Sequence, residues 1–189
     1  MERSRIAYAP GDAAEAAAFL RASSERREEG ADLRVGLLES PFSRETTRSA
    51  LDLPTVESPE EVRGLDGPVT VYAGHARLGG VREVSRADLL AVCGGGATID
   101  ELRRAAAAEG LFFAHEPPIP SGDLTVAGLV MAGLSSPTDG RFGALRESIL
   151  SVELVTPAGT VVRTGSRSVK DVAGYEIAGL LCGAGGVCG

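Results

Sequence analysis

Residues 116–189 read EPPIPSGDLTVAGLVMAGLSSPTDGRFGALRESILSVELVTPAGTVVRTGSRSVKDVAGYEIAGLLCGAGGVCG, and this stretch decides the fold. Glycine-rich turns separate short apolar runs along its whole length. Because glycine has no Cβ, the backbone at such positions can come close to a ligand or to another segment. Few side chains here could act as acids, bases or nucleophiles. The pattern is typical of a segment that holds a ligand rather than reacts with it.

Composition places the chain among folded globular proteins. Its 189 residues, 43% apolar and 24% charged, can build one domain or two small ones. The net charge of −7 argues against a general nucleic-acid binder, because phosphate neutralisation requires a basic face. No apolar run reaches the roughly 18 residues of a membrane span, and the first residues lack the apolar core of a signal peptide. A cytoplasmic protein without a membrane span is therefore expected.

Cysteine and histidine are too sparse to suggest a metal centre. Cys93, Cys182 and Cys188 form no CxxC pair, and the two histidines, His75 and His115, lie far apart in the sequence. We therefore expect neither a disulfide framework nor a metal site, and we predict no catalytic residue within this chain.

The first half alternates helices, short strands and loops. Asp12, with Glu15 three residues later, predicts the start of a helix over Gly11–Arg27. Residues 39–67 are expected to be mostly loop, with a short helix after Ser58. Strands are predicted at Leu33–Leu38, at Val69–Tyr72 and in the apolar run Asp88–Cys93.

A run of three glycines, Gly94 to Gly96, follows the last of these strands. Thr98 and Glu101 then predict a capping box that starts a helix over Ile99–Glu109. The order strand, glycines, helix has two interpretations: a phosphate-binding turn, or a tight turn before a capped helix. The run matches neither GxGxxG nor a P-loop, which favours the tight turn.

The second half predicts a helix over Thr125–Leu134 and, near the end, a helix over Val172–Leu181. Between them, Ser148–Thr156 and Thr160–Thr164 have strand character, and Pro157-Ala158-Gly159 predicts the turn of a hairpin.

The ordered motifs of residues 116–189 resemble the FAD-binding domain of the vanillyl-alcohol oxidase and p-cresol methylhydroxylase (PCMH-type) family, and within it the FAD-binding subunits of glycolate oxidase. The resemblance rests on EPP at 116–118, LTVAG at 124–128, AGLSSP at 132–137, FGALRE at 142–147, VTPAG at 155–159, VKDVAGY at 169–175, and LLCG and GVCG at the end. It implies an α+β fold of two α/β subdomains, residues 1–113 and 114–189, with the second an antiparallel sheet that is C-terminally truncated.

The resemblance also implies that FAD is the cofactor, held mainly by backbone amides. The residues expected to line it are Pro118, Leu124, Thr125, Val126, Ala127, Gly128, Ala132, Gly133, Phe142 and Gly143, with Val187 and Gly189 at the adenine or ribose end. Lys170 and Tyr175 match a segment of the family for which we expect a structural role. Neither histidine aligns with a covalent flavin attachment site.

One departure from the family concerns the loop after the early strand, which in relatives often has the sequence PRGGGT. Here it reads VGLLESPF from Val35 to Phe42, with one glycine and with Glu39. A carboxylate near a diphosphate costs about 1 kcal/mol where partly desolvated. This loop leaves two functions open: an FAD-binding module of an oxidoreductase for a 2-hydroxy acid such as glycolate, or a degenerate, non-catalytic assembly subunit that binds no FAD.

A third alternative, a nucleotide-binding protein that uses Gly94 to Gly96, lacks a Walker lysine. For the leading interpretation, the hydroxy acid would be bound by a missing cap or by a partner. The incomplete sheet also predicts an open edge, and hence a partner subunit or self-association.

Overall fold

The computed structural model describes residues 4–8, 10–37, 58–65, 68–73, 78–122, 124–167 and 177–185. Helices and strands are mixed along the chain. In order, the elements are β1 (Ser4–Tyr8), α1 (Ala13–Glu28), β2 (Leu33–Leu37), α2 (Pro59–Arg63), β3 (Val69–Ala73), β4 (Val81–Ser85), β5 (Leu90–Cys93), α3 (Ile99–Ala108), α4 (Val126–Ala132), α5 (Asp139–Phe142), α6 (Leu145–Ser148), β6 (Ser151–Val155), β7 (Val161–Gly165) and α7 (Ile177–Leu181). In the described ranges, no helix has both the length and the apolar character that crossing a membrane requires.

The first sheet is parallel, with β3 between β1 and β2. Helix α1 covers this sheet and inserts Phe19 into a core cluster with Leu33, Val62 and Val69. The predicted cap is confirmed, since the Asp12 side chain accepts a hydrogen bond from the Glu15 amide at 2.8 Å. The parallel strands expected in the N-terminal part are therefore present, and one helix face buries the sheet.

The next unit is an antiparallel hairpin, β4–β5, followed by α3. Thr98 and Glu101 form both reciprocal bonds of the predicted capping box, with the Thr98 amide donating to the Glu101 carboxylate at 2.9 Å. Gly110, with φ of +72°, lies just beyond the end of α3, where a left-handed residue satisfies the last carbonyls. The predicted strand at 88–93 begins only at Leu90, because residues 86–89 form the turn of the hairpin.

The hairpin β6–β7 packs on α1 through its turn. The Gly159 amide donates to the Thr156 carbonyl at 2.8 Å, which closes the predicted turn. A Cβ at Gly159 would lie 2.6 Å from the Ala17 carbonyl oxygen, and the Arg21 guanidinium donates to the Gly159 carbonyl. The turn therefore approaches the helix closely enough to exclude a larger residue.

Several boundaries differ from the sequence-based predictions. The strand predicted from residue 148 begins at Ser151, because residues 145–148 form the helical turn α6 around the buried Leu145. Helix α4 ends at Ala132, where Gly133 adopts φ of +57°. Strands β1 and β4 and helix α5 were not predicted, because such short elements carry little periodic signal. Residues 38–57 and 172–176 lie outside the described part of the chain.

A second core cluster joins α3 to the later segments. Ile99 packs with Leu124, Leu129 and Leu145, each at most 6% exposed. Because Ile99 precedes the predicted subdomain boundary and the other residues follow it, the two parts of the chain share this core. The division at 113/114 stays a prediction.

We expect Leu129→Ala to lower the free energy of unfolding by about 2–5 kcal/mol, because it leaves a cavity in the second core. Leu129 is 1% exposed, whereas Leu180, also a helical leucine, is 71% exposed. The matched control Leu180→Ala should change the free energy by no more than about 0.5 kcal/mol. Urea denaturation of both variants measures the difference. Equal effects would contradict the assignment of Leu129 to the core.

Candidate functional site

The predicted cofactor segment 124–128 is locked against the glycine turn that precedes α3. The Val126 amide donates to the Ala97 carbonyl at 2.8 Å, and the Ala127 amide donates to the Gly95 carbonyl at 2.9 Å. In return, the Ile99 amide donates to the Leu124 carbonyl at 2.9 Å. Thr98 and Thr125 form an antiparallel bridge between the two segments. The N-termini of α3 and α4 therefore lie side by side.

The first amides of α4 have partners within the protein. Besides the two bonds to the glycine turn, the Gly128 amide donates to the Thr125 hydroxyl at 3.1 Å. Helix N-termini bind anions through amides that have no intrahelical partner. Because the amides of Val126, Ala127 and Gly128 already donate, this end of α4 serves as a support and is not a free anion site.

The glycine run itself allows two backbone segments to touch. The Gly94 and Gly96 amides donate to the Gly80 and Leu78 carbonyls at 2.9 and 3.2 Å. A Cβ at Gly94 would lie 1.9 Å from the Leu78 carbonyl oxygen, a distance that no side chain tolerates. The run thus meets the steric requirement of a tight turn, the interpretation that the sequence favoured.

The C-terminus of α4 is covered by the segment that follows α7. The Gly183 and Gly185 amides each donate at 2.9 Å, to the carbonyls of Val130 and Met131. A Cβ at Gly133 would lie 2.7 Å from the Gly183 Cα. These bonds satisfy helix-end carbonyls that would otherwise lack partners. Ala132 and Gly133 are thereby brought next to residues 183–185.

Three members of the predicted set, Pro118, Phe142 and Gly143, are more exposed than the rest, and charged side chains lie close to two of them. Pro118 and Phe142 are both exposed, and the Phe142 ring meets the edge of the Phe112 ring at 5.6 Å between centroids. The Arg141 guanidinium lies 5.3 Å from the centre of the Phe142 ring, within cation–π range. Gly143, half-buried with φ of +86°, follows Phe142. Phe142 therefore offers a flat apolar ring beside a cation, while the Glu147 carboxylate lies against Gly143.

His115 belongs to a polar network that the sequence did not reveal. Its side chain is 4% exposed, and its Nδ1 lies 3.1 Å from Asp139 Oδ1 without the alignment of a hydrogen bond. Asp139 Oδ2 accepts from the Ser136 amide at 2.9 Å, and the Ser136 hydroxyl accepts from the Glu116 amide at 3.0 Å. The network ties residues 114–116 to the turn at 136–139. The only signal in the sequence was the turn-forming SSPTD motif.

The two described cysteines have the character of buried thiols rather than of nucleophiles. Burial raises the pKa of the Cys93 thiol above its ordinary value, although Arg82 acts in the opposite direction. Burial likewise raises the pKa of the Cys182 thiol, against the effect of Arg146. Because the thiolate is the reactive form, both residues should react slowly near neutral pH.

The structure places seven of the predicted residues at the two ends of α4. Leu124 to Gly128 lie at its start, Ala132 and Gly133 at its end, and Pro118, Phe142 and Gly143 are the more exposed members. Val187 and Gly189 lie outside the described residues, as do Glu39 to Phe42, His75, Lys170 and Tyr175. The roles of all these residues toward a cofactor stay predictions.

The residues present fit a flavin cofactor in part. The exposed ring of Phe142 beside Arg141 suits a flat, anionic molecule, whereas the space at Gly133 is filled by the Gly183 backbone. The occupied amides of residues 126–128 do not suit the cofactor's diphosphate. A shallow depression elsewhere, between α1 and the β6–β7 hairpin, is lined by Ala13, Ala14, Glu153, Val161 and Arg163 and includes none of the predicted residues.

Comparison with known proteins identifies the sequence family. Residues 66–165, more than half of the chain, match the family described as "FAD binding domain". The chain is 32% identical over 105 residues to D-lactate dehydrogenase of Archaeoglobus fulgidus, covering 55% of this chain and 23% of that protein. It is 30% identical over 111 residues to glycolate oxidase subunit GlcD of Bacillus subtilis, covering 58% and 23%.

Two further similarities are informative. The chain is 35% identical over 74 residues to glycolate oxidase subunit GlcE of Escherichia coli, covering 39% of this chain and 21% of that subunit. In structure it resembles 6-hydroxy-D-nicotine oxidase of Arthrobacter nicotinovorans, with a TM-score of 0.57 and 18% identity over 87% of this chain and 31% of that one. These findings confirm the expected α+β fold of the PCMH type. The chain spans about a quarter of the length of the relatives that it matches.

We expect Gly133→Ala to destabilise the protein by at least about 1–2 kcal/mol, the cost of a left-handed conformation with a Cβ, and to displace residues 183–185. Gly140, on α5, has no atom within 4 Å of an added Cβ, so Gly140→Ala should be neutral or slightly stabilising. Thermal unfolding compares the two variants. A Gly133→Ala protein as stable as wild type would contradict the close contact with Gly183.

Alkylation by iodoacetamide checks the cysteine environments. Because the pKa of the Cys93 thiol is raised, its modification rate should be lower than that of a cysteine peptide at neutral pH. The rate should continue to rise with pH beyond the range in which the peptide has levelled off. Mass spectrometry of the digested protein measures each cysteine separately. Rapid labelling of Cys93 in the folded protein at neutral pH would contradict this environment.

Proposed function

The chain belongs to the FAD binding domain family, and from that membership we propose that it forms the cofactor-binding part of a flavin-dependent oxidoreductase acting on a 2-hydroxy acid such as glycolate. FAD is the cofactor of this domain type. The observation that carries the proposal is the match of residues 66–165 to the FAD binding domain family. The names of the relatives support the substrate class, because lactate and glycolate are both 2-hydroxy acids.

In this proposal the chain's residues bind and orient the cofactor. Pro118, Phe142 and Gly143 provide apolar contact, and the Arg141 guanidinium supplies positive charge beside them. Bound FAD supplies a two-electron acceptor for a hydride from the substrate carbon. We assign the acid–base residues of the reaction to a cap or partner, because the sequence predicts no catalytic residue within this chain, and Asp139 and Glu116 are paired with His115 and Arg103.

The residues at the start of α4 have a supporting role in this proposal. Leu124, Thr125 and Gly128 are buried, and the first amides of the helix are bonded within the protein. They fix the position of α4, and hence of Ala132 and Gly133 at its other end. We therefore expect substitutions at the start of α4 to act on cofactor binding through the fold.

A second function is favoured by one specific observation. Because the amides of residues 126–128 are occupied and the sequence after β2 carries Glu39 where relatives have glycines, the chain in this alternative has too few free amides to bind an anion. It would then be a non-catalytic assembly subunit that binds no FAD. Two of the relatives are named as subunits of glycolate oxidase, which supports a partner subunit or self-association for either function.

Absorbance of the purified protein distinguishes the two functions. We expect flavin absorbance that survives desalting after incubation with FAD, together with thermal stabilisation of about 2.7 kcal/mol at a hundredfold excess over Kd. Riboflavin, which lacks the diphosphate and adenosine, serves as the control ligand. A colourless protein that FAD does not stabilise would support the assembly subunit instead.

Light scattering during gel filtration tests the partner proposal. We expect the chain to self-associate, or to co-elute with a second subunit when the two are produced together, and to dissociate on dilution. A monomer at every concentration, with or without a candidate subunit, would contradict it.

A further inference from the structure

The segment between α3 and α4 has almost no backbone bonding of its own. Pro117, Pro118 and Pro120 have no amide hydrogen to donate. Within the described residues, none of the amides from 112 to 122 donates to a backbone carbonyl, and the Leu124 amide donates back to the Ser121 carbonyl at 3.2 Å. The path of this segment must therefore be fixed by side chains. It matters because Pro118, at its centre, belongs to the predicted cofactor surface.

One side chain of α3 contacts both ends of the arc from Glu116 to Ser121. Arg103 Nη2 lies 2.7 Å from Glu116 Oε2, a close ion pair although it is not aligned as a hydrogen bond. Arg103 Nη1 donates to the Ser121 hydroxyl and lies 3.3 Å from Asp100 Oδ1. A planar guanidinium holds its two terminal nitrogens in a fixed fork, so the two contacts set the ends of the arc together.

Asp100 completes the arrangement from the same helix. The Ser121 hydroxyl donates to Asp100 Oδ1 at 2.9 Å, so the serine bonds to both the acid and the base of α3. Asp100 and Arg103 lie one turn apart and share this face. The four residues Asp100, Arg103, Glu116 and Ser121 form one connected cluster, which we call the clamp.

The opposite side of the segment is held independently. The Thr138 hydroxyl donates to the Ala114 carbonyl at 2.7 Å, and the Ser136 hydroxyl accepts from the Glu116 amide at 3.0 Å. These bonds fix the segment before the arc, at residues 114–116. Beyond Pro118, Ser121 is held by the clamp and by the Leu124 amide, which donates to the Ser121 carbonyl, and Ile119 packs against the second core. Removing the clamp should therefore loosen the Ser121 end of the arc without detaching residue 114.

We propose that Arg103 is a positioning residue for the cofactor surface: through the clamp it sets the arc that presents Pro118. The inference rests on the proposed function of FAD binding. The clamp is partly solvated, with the Arg103 side chain 28% exposed and that of Glu116 58% exposed. Partly exposed ion pairs add little to global stability. Loss of the clamp should therefore alter FAD affinity more than it alters the unfolding temperature.

The test compares Arg103→Met with Arg104→Met in the full chain. Methionine keeps the apolar stem and removes the guanidinium. Arg104 is exposed on the same helix and contacts only the Asp100 carbonyl, so it is the matched control. FAD Kd is measured by quenching of flavin fluorescence. We expect Arg103→Met to raise Kd three- to tenfold, an effect of the size that a charged hydrogen-bond cluster provides, while Arg104→Met leaves Kd unchanged.

Arg103→Lys and a double variant separate positioning from charge. Lysine keeps the charge but cannot make both contacts of the fork, so its Kd should stay above the wild-type value. The single variant Glu116→Gln should raise the Kd for FAD. In the Arg103→Met background it should have no further effect on Kd, because both substitutions open the same clamp. Additive effects, or full rescue by lysine, would overturn the proposal and assign Arg103 a general electrostatic effect.

Hydrogen exchange of the protein without cofactor separates failure of the proposed function from failure of the positioning role of Arg103. Faster exchange of the Leu124 amide, which donates to the Ser121 carbonyl, in Arg103→Met but not in Arg104→Met supports the clamp. If wild type binds no FAD, the proposed function fails, and with it the link to the cofactor, while the exchange result still decides whether Arg103 holds the arc. If the wild-type protein binds FAD and Arg103→Met leaves the Kd unchanged, only the positioning role of Arg103 is overturned. The positioning role is also overturned if Arg103→Met lowers the unfolding temperature to a degree that matches its loss of FAD affinity.

Discussion

The structure depends on the close approach of backbone to backbone between the glycine turn at 94–97 and the start of α4. Amide-to-carbonyl bonds of 2.8 to 2.9 Å run in both directions between these segments, and a Cβ at Gly94 would collide with the neighbouring strand connection. Gly94 and Gly95, which have no Cβ, allow this close approach. The bonds join the N-termini of α3 and α4 and place Ile99 and Leu124 in one buried cluster.

The junction also limits how a cofactor could be held. An amide that donates to a carbonyl at the junction cannot also donate a well-aligned bond to a phosphate, so rigidity at the start of α4 is obtained at the expense of anion binding there. The C-terminal end of α4 is likewise bonded within the protein, since the amides of Gly183 and Gly185 donate to its last carbonyls. Helix α4 is thus fixed at both ends by backbone contacts that involve glycines. Of the predicted cofactor residues, Pro118 and Phe142 are exposed, and Arg141 lies beside the Phe142 ring.

Membership of the FAD binding domain family and this arrangement both favour a chain that holds a cofactor rather than one that supplies acid–base groups. In the proposed function the described residues position a cofactor, and some of their ionisable groups form structural pairs: His115 with Asp139, and Arg103 with Glu116. The path of the Pro-rich arc between α3 and α4 depends mainly on side chains, because within the described residues no amide from 112 to 122 donates to a backbone carbonyl. The proposal therefore places here the substitutions that would change ligand binding without unfolding the domain.

The sequence by itself determined the elements whose signals are local. The caps at Asp12 and Thr98, the helix that follows each, and the hairpin turn at Gly159 depend on residues only a few positions apart, and all were predictable. The ordered motifs of residues 116–189 likewise gave the family. Tertiary structure alone decided which amides are already occupied, that α3 shares its core with α4, and that Arg103 reaches both Glu116 and Ser121. These features join residues far apart in the sequence, and no local pattern records whether a donor's partner will be a ligand or another part of the chain.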